Sequence, residues 1–322
     1  VRTAFLHGSS MTITHFLKCA PAALLLAACG DKPAPSAPAA APSTSAPAAA
    51  SPAPAVVAAP ASQPAQSTEF RKIYWTEELL HAEIKHYNSA YEGGAQFSIE
   101  NGVPVAVDLH DQKVDNLKCF AGVPLMAIDV SGTNVGDLSP LKGLPIREIM
   151  LERSKVTDLT PLRGAPIEKI YLSDTPVTKL DGLEGSSIQE LNLLGTKVAD
   201  LTPLAQCAQL HMLWLTGCPV ENIAPLRTVP LVSLTLHRTK VKDLSPLSGT
   251  ALQRLHIAET PVEDLTPLKG LKLTRLVFTP SNIKTGMDVA RSLPVQEIGT
   301  RFDDEGKDLQ PPDVFWASQP AK

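Results

Sequence analysis

The sequence lacks a surplus of positive charge. Its 29 Lys and Arg stand against 33 Asp and Glu. The first 67 residues carry only Arg2, Lys18, Lys32 and Asp31, which leaves the remainder 26 bases and 32 acids. Such a balance does not supply the basic field that holds nucleic-acid phosphates, and no nucleic-acid partner is expected. No apolar run reaches the ~18 residues of a membrane-spanning helix. Five cysteines in 322 residues are too few for a disulfide scaffold. A Gly-rich phosphate loop, Gly-x-Ser-x-Gly and the His-Arg-Asp and Asp-Phe-Gly signatures of kinases are all missing. Catalysis is therefore not expected, nor is a cofactor.

Proline, by contrast, is plentiful at 29 residues, and its distribution is uneven. From Lys32 to Ser67 the chain is almost all Pro, Ala, Ser, Thr, Gln and Val, with no charge after Lys32. It has no periodicity and few large apolar groups, so it cannot bury a core. Fully extended as polyproline it would reach ~110 Å at ~3.1 Å per residue. Ahead of it, Met11 is read as opening the functional frame, with Val1–Ser10 as an upstream extension. A short segment ending at Lys18 precedes the apolar stretch Cys19–Ala28 and then Leu26-Ala27-Ala28-Cys29. This order resembles a bacterial lipoprotein signal. The resemblance implies cleavage before Cys29 and acylation of its thiol, an anchor worth ~0.8 kcal/mol per buried CH₂. It implies a cell-envelope protein, and an outer-membrane lipoprotein is expected because Gly30 does not favour retention in the inner membrane. The same residues also fit an ordinary secretory signal cut near Ala28, with Cys29 incidental.

A 21-residue repeat fills the rest. Apolar residues recur as L-x-x-L-x-L-x-x-T-x-V-x-D-L-[ST]-P-L-x-G in copies beginning at Pro104, Leu125, Ile146, Ile167, Ile188, Leu210, Leu231, Leu252 and Leu273, with a partial copy at Val295. The pattern resembles leucine-rich repeats of the short, internalin-like bacterial class. It is also similar to repeat regions associated with bacterial serine/threonine kinases, from which no kinase activity carries over. The resemblance covers about residues 76–300 and implies a mostly β, α/β-type repeat solenoid: an arc with a parallel concave sheet, short 3₁₀ turns on the convex side and an N-terminal helical cap. The expected organisation is a signal (1–28), a tether (29–67), a cap (68–103), the repeats (104–300) and a tail or cap (301–322).

Each column has a physical reading. Positions 4 and 6, such as Ile149 and Leu151, alternate as a short strand does and point inward. Position 11 is Val or Ile from Val114 to Ile283. Ser/Thr-Pro-Leu, as in Ser139-Pro140-Leu141, reads as an N-cap, a Pro at N1 and an inward Leu. Gly143, Gly164, Gly185, Gly249 and Gly270 supply the reversal into the next copy. Position 9 carries hydroxyls (Thr133, Ser154, Thr175, Thr196, Thr239, Thr260, Ser281) that satisfy turn backbone, with Cys218 breaking the column. The position-13 acids Asp137, Asp158, Asp200, Asp243 and Asp264 recur once per copy, which is turn chemistry and not an acid/base pair. One copy cannot bury its own apolar edges, so stacking must stabilise it and both ends need covers.

Thr76-Glu77-Glu78 begins a cap helix with Leu80, Ile84, Tyr87 and Tyr91 on one face. Tyr87-Asn88-Ser89-Ala90-Tyr91-Glu92-Gly93 resembles the Leu-Asn-Pro-x-Phe-Asp-Gly segment before the repeats of the kinase-associated group, departing at Ser89, Tyr91 and Glu92. Phe302, Phe315 and Trp316 either fold over the C-terminal edge or lie in a loose tail. His81, Glu83 and His86 lack helical metal-ligand spacing, Asp303-Asp304-Glu305-Gly306 lacks a calcium-loop pattern, and no metal is expected.

What remains for function is surface. Positions 3, 5 and 7 of each strand face away from the core. They bring Met150, Tyr171, Asn192, Leu194, Met212, Trp214, His237 and His256 into one central band. Exposed Trp, Tyr and Met on a rigid sheet suit contact with a protein or peptide, although lateral packing between strands also accounts for them. The expectation is a non-enzymatic protein-binding module, lipid-anchored in the bacterial envelope and using its concave face. The other reading is a passive structural element of the envelope with no specific ligand.

Overall fold

The computed structural model describes residues 74–301 and 308–318. Cys29, the signal and tether segments, Phe302 and Asp303-Asp304-Glu305-Gly306 lie outside the described residues. Helix α1 spans Glu77–Tyr87. Thr76 caps it by accepting a hydrogen bond from the Leu79 N–H at 3.2 Å, and Glu77 and Glu78 complement its positive end. Leu80 and Ile84 are buried, whereas Tyr87 is exposed. Tyr91 follows the helix instead of lying on it. It is nonetheless fully buried, with its hydroxyl bonded to His81 Nδ1 at 2.6 Å and accepting the Ala95 N–H at 2.9 Å. Buried Asn88 ties this cap to the first coil. Its amide donates to the Ile84 and Asn116 carbonyls, and its Oδ1 accepts the Asp115 and Asn116 N–H groups.

Among the described residues, eleven strands form one sheet in chain order. They are β1 (Gln96–Glu100), β2 (Val103–Asp108), β3 (Ala127–Asp129), β4 (Glu148–Met150), β5 (Lys169–Tyr171), β6 (Glu190–Asn192), β7 (Met212–Trp214), β8 (Ser233–Thr235), β9 (Arg254–His256), β10 (Arg275–Val277) and β11 (Glu297–Gly299). β1 and β2 form an antiparallel hairpin around Asn101-Gly102, both at positive φ, which is a turn that Asn-Gly favours and that the repeat reading passed over. From β2 onward every pairing is parallel and advances by one copy. The position-4 residues Val107, Ile128, Ile149, Ile170, Leu191, Leu213, Leu234, Leu255, Leu276 and Ile298 align across it, all buried. The expected repeat solenoid, including the partial copy at Val295, is present.

The turns opposite the sheet are built differently from the expectation. Ser139, Thr160, Thr202, Ser245 and Thr266 are the first residues of 3₁₀ turns, and the preceding leucines make no side-chain cap. The cap comes from the position-13 acid. Asp137 Oδ1 accepts the Ser139 N–H and its Oδ2 the Ser139 hydroxyl, both at 2.8 Å; Asp158, Asp243 and Asp264 act alike, and Asp200 accepts both bonds from Thr202 through Oδ1. Asn116 and Asn222 fill the same role in copies without the acid. A carboxylate two residues back reaches the free N–H with better geometry than the hydroxyl of the turn's own first residue. Where the reversing Gly is replaced by Gln206 and Thr228, the 3₁₀ turn lengthens to five residues.

The position-9 hydroxyls close the turn after each strand. Thr133, Thr175, Thr196, Thr239 and Thr260 each donate to the carbonyl three residues back, at 2.6–2.8 Å. Cys218 breaks the column, as expected: its thiol contacts the preceding coil, 3.0 Å from the Leu193 carbonyl and 3.4 Å from Thr196 Oγ1. Ser281 leaves it and is exposed. Cys119, Cys207 and Cys218 are buried free thiols. At the far end, helix α2 (Met287–Ser292) precedes β11, and helix α3 (Pro312–Ser318) follows it. Ile298 and Gln310 exchange backbone hydrogen bonds at 2.9 and 2.8 Å. Phe315 is buried against Phe278, with ring centroids 6.1 Å apart, and the Arg291 guanidinium lies 4.4 Å from the Trp316 ring centroid. These two aromatic residues cover the last coil.

Candidate functional site: the outward face of the sheet

Positions 3, 5 and 7 do lie on the face away from the main core, because side chains alternate about the buried position 4. The register sets Asp108, Asp129, Met150, Tyr171, Asn192, Trp214, Thr235 and His256 side by side in one row. The expected band is thus one row plus its flanks, but its members differ in access. Tyr171, Asn192, Leu194, Met212, Trp214 and His256 are partly exposed. Met150 and His237 are buried, with 4% of each surface accessible, which corrects the expectation of solvent contact for both.

Met150 is buried because the first two coils carry Ala106 and Ala127 at position 3. The short side chains leave a recess, and Met150 fills it, with Tyr171 packed alongside. The outward face therefore has a small apolar cluster of its own. Tyr171 donates from its hydroxyl to Glu190 Oε2 at 2.8 Å, and burial, then the nearby Glu190 charge, push its pKa up. Asn192 is partly committed to backbone, since its Oδ1 accepts the Leu194 N–H at 3.0 Å, as Asp108 and Asp129 do for His110 and Ser131. This end-of-strand cap is legible in the Asx residue two places before a turn, a signal the surface reading did not use.

Charge divides the face. Asp108, Asp129, Glu148, Glu152 and Glu190 lie on β2 to β6 and the turn after β4, with Lys169 the one base at positions 3 and 5 of those strands. Burial holds the Asp129 and Glu148 carboxyls above the usual carboxylate range. Beyond Trp214, Arg254 and Arg275 take over. Arg275 pairs with Glu297 at 2.7 Å, and Arg254 leans on Met212 Sδ at 3.8 Å. His237 Nδ1 lies 3.0 Å from the Ala258 carbonyl, and burial lowers its pKa against the pull of Glu259. Burial, then Arg275, brings His256 down to about 4, so it is neutral at pH 7. Among the described residues no group of His, Cys, Asp and Glu could hold a metal ion, and no helix is long and apolar enough to cross a membrane.

No protein-family model and no curated protein matches the chain. Solved structures do. An internalin of Listeria monocytogenes is 19% identical, with a TM-score of 0.54, and the match covers 69% of this chain and 75% of that one. A second internalin of the same species is 21% identical, with a TM-score of 0.52, covering 62% of this chain and 92% of that one. One coil per 21 or 22 residues, a parallel sheet in unbroken chain order, 3₁₀ turns opposite it and these likenesses together identify the fold as a leucine-rich repeat solenoid of the internalin type.

Proposed function

We propose that the chain is a non-catalytic protein-binding module that engages a protein or peptide through the outward, concave face of its sheet. The observation that carries this reading is the part-exposed pair Tyr171 and Trp214, held rigidly in one row two strands apart. Large aromatics on a preorganised surface lose little entropy on binding and offer much apolar area. Leu194, Met212, Asn192 and His256 border them. Buried Met150 and His237 act from beneath, by setting where Tyr171 and the neighbouring strands sit. Replacing Tyr171 and Trp214 together by Ala should abolish retention of a crosslinked envelope partner while leaving the thermal transition in place. Undiminished retention by the folded double variant would remove the face from consideration.

The lipoprotein-like segment before Cys29 supports anchoring of this module in a bacterial envelope, on the outer membrane, with the Pro/Ala-rich stretch as a spacer. Nucleic acid is not a partner in this reading, since the acid excess disfavours it. Cys29→Ala should move the protein from the membrane fraction to the soluble one. A membrane-bound variant would refute the anchor.

A further inference from the structure

The acidic half of the outward face has a local geometry that selects among partners. Met150 lies at its centre. Glu148 and Glu152 stand on either side along the chain, and Asp129 and Tyr171 on either side across the sheet. An apolar floor is thus ringed by three carboxylates and one aromatic ring. Two polar atoms in this neighbourhood are enclosed without any hydrogen-bond partner: Glu148 Oε1, on a residue with 9% of its surface accessible, and Ser131 Oγ, on one with 1%. A buried carboxylate without a donor is unfavourable, and a cation held against the part of the group that stays accessible offsets that penalty. Lys169, the base nearest in the sheet, does not supply it, since the ion pair its Nζ makes is with Glu190 at 3.9 Å. Glu152 keeps only the Ser173 hydroxyl, at 3.1 Å.

We propose that this ring seats a cationic side chain, Lys or Arg, from an extended segment of the partner protein, the aliphatic stem lying over Met150 and the charge meeting Asp129, Glu148 and Glu152 beside the Tyr171 ring. The inference rests on the reading of the outward face as the binding surface. A long basic side chain combines the two required properties, an apolar stem and a charged donor tip, and the aromatic face adds cation–π attraction. Charge complementarity excludes an acidic segment from this half and assigns it to the Arg254 side.

The test pans the full chain against a displayed library of random peptides about 12 residues long. The recovered peptides should be enriched in Lys and Arg. They should bind the isosteric double variant Glu148→Gln/Glu152→Gln about tenfold more weakly, and should weaken as salt is raised from about 50 to 500 mM. Loss of binding in Tyr171→Ala/Trp214→Ala tests the face itself. Peptides that need Tyr171 and Trp214 but carry no basic enrichment, or that bind the Gln variant undiminished, would overturn the cation seat and leave the face standing. Peptides indifferent to both variants, or none recovered at all, would overturn both. The Gln variant keeps side-chain volume, and an unchanged thermal transition shows that it folds.

Discussion

Single residues in this protein answer to where the coil places them. Position 8 of the repeat adopts a left-handed backbone in every coil from Asp111 to Glu259. Gly132, Gly195 and Gly217 adopt it freely, while Arg153, Asp174, Arg238 and Glu259 do so with φ of 55–57°. The column is invisible to a hydrophobic pattern, because its demand is conformational and its residue types vary. His256 shows the same dependence on place. It reads as an ordinary surface residue of a strand, yet burial, then Arg275, brings its pKa down to about 4. The folded state thus refuses a proton that the unfolded chain accepts near 6.5. Stability should accordingly be full above about pH 6.5 and fall as pH drops toward 4, by up to about 1.4 kcal/mol per pH unit. His256→Gln should flatten that part of the urea-midpoint profile, and an unaltered profile would show that the imidazole is not the group responsible.

At the scale of elements, the strands were legible and the turns only half so. Strand positions follow from the apolar lattice, since a one-residue slip would expose every position-4 side chain. The Ser/Thr-Pro-Leu turns were placed correctly, but the cap was assigned to the wrong residue. Local pattern marks where a turn begins, whereas the choice between two oxygens for one N–H depends on backbone geometry. Asp243 accepts both the Ser245 N–H and its hydroxyl, at 2.7 and 2.8 Å, on an exposed turn. Asp243→Ala should destabilise by about 0.5–1.5 kcal/mol in denaturant unfolding, and Asp243→Asn, which keeps the acceptor, by less. Ser245→Ala retains the backbone bond and should have the smaller effect of the two alanine changes, an ordering opposite to that expected of a Ser N-cap.

For the whole molecule, the ends decide what the repeat cannot. A stack of coils leaves apolar edges at its termini, and only local contacts connect one coil to the next. Phe315, on the helix that follows β11, closes one edge against Phe278. Phe315→Ala should therefore loosen the C-terminal coils first. The Ile298 amide should lose hydrogen-exchange protection while that of Leu172 keeps its own, with an upper bound of about 3–5 kcal/mol on the loss. Uniform loss across the sheet would mean that the solenoid unfolds as one unit. The amino-acid sequence alone determined the period, the inward columns, the parallel sheet and the helix before it, because burial with a fixed spacing admits few solutions. Tertiary structure decided which outward residues reach solvent. Exposure on this face depends on neighbours one and two coils away: two alanines make the recess that takes in Met150, and His237 is buried against the next coil at the Ala258 carbonyl, while Tyr171 and Trp214 stay part-exposed.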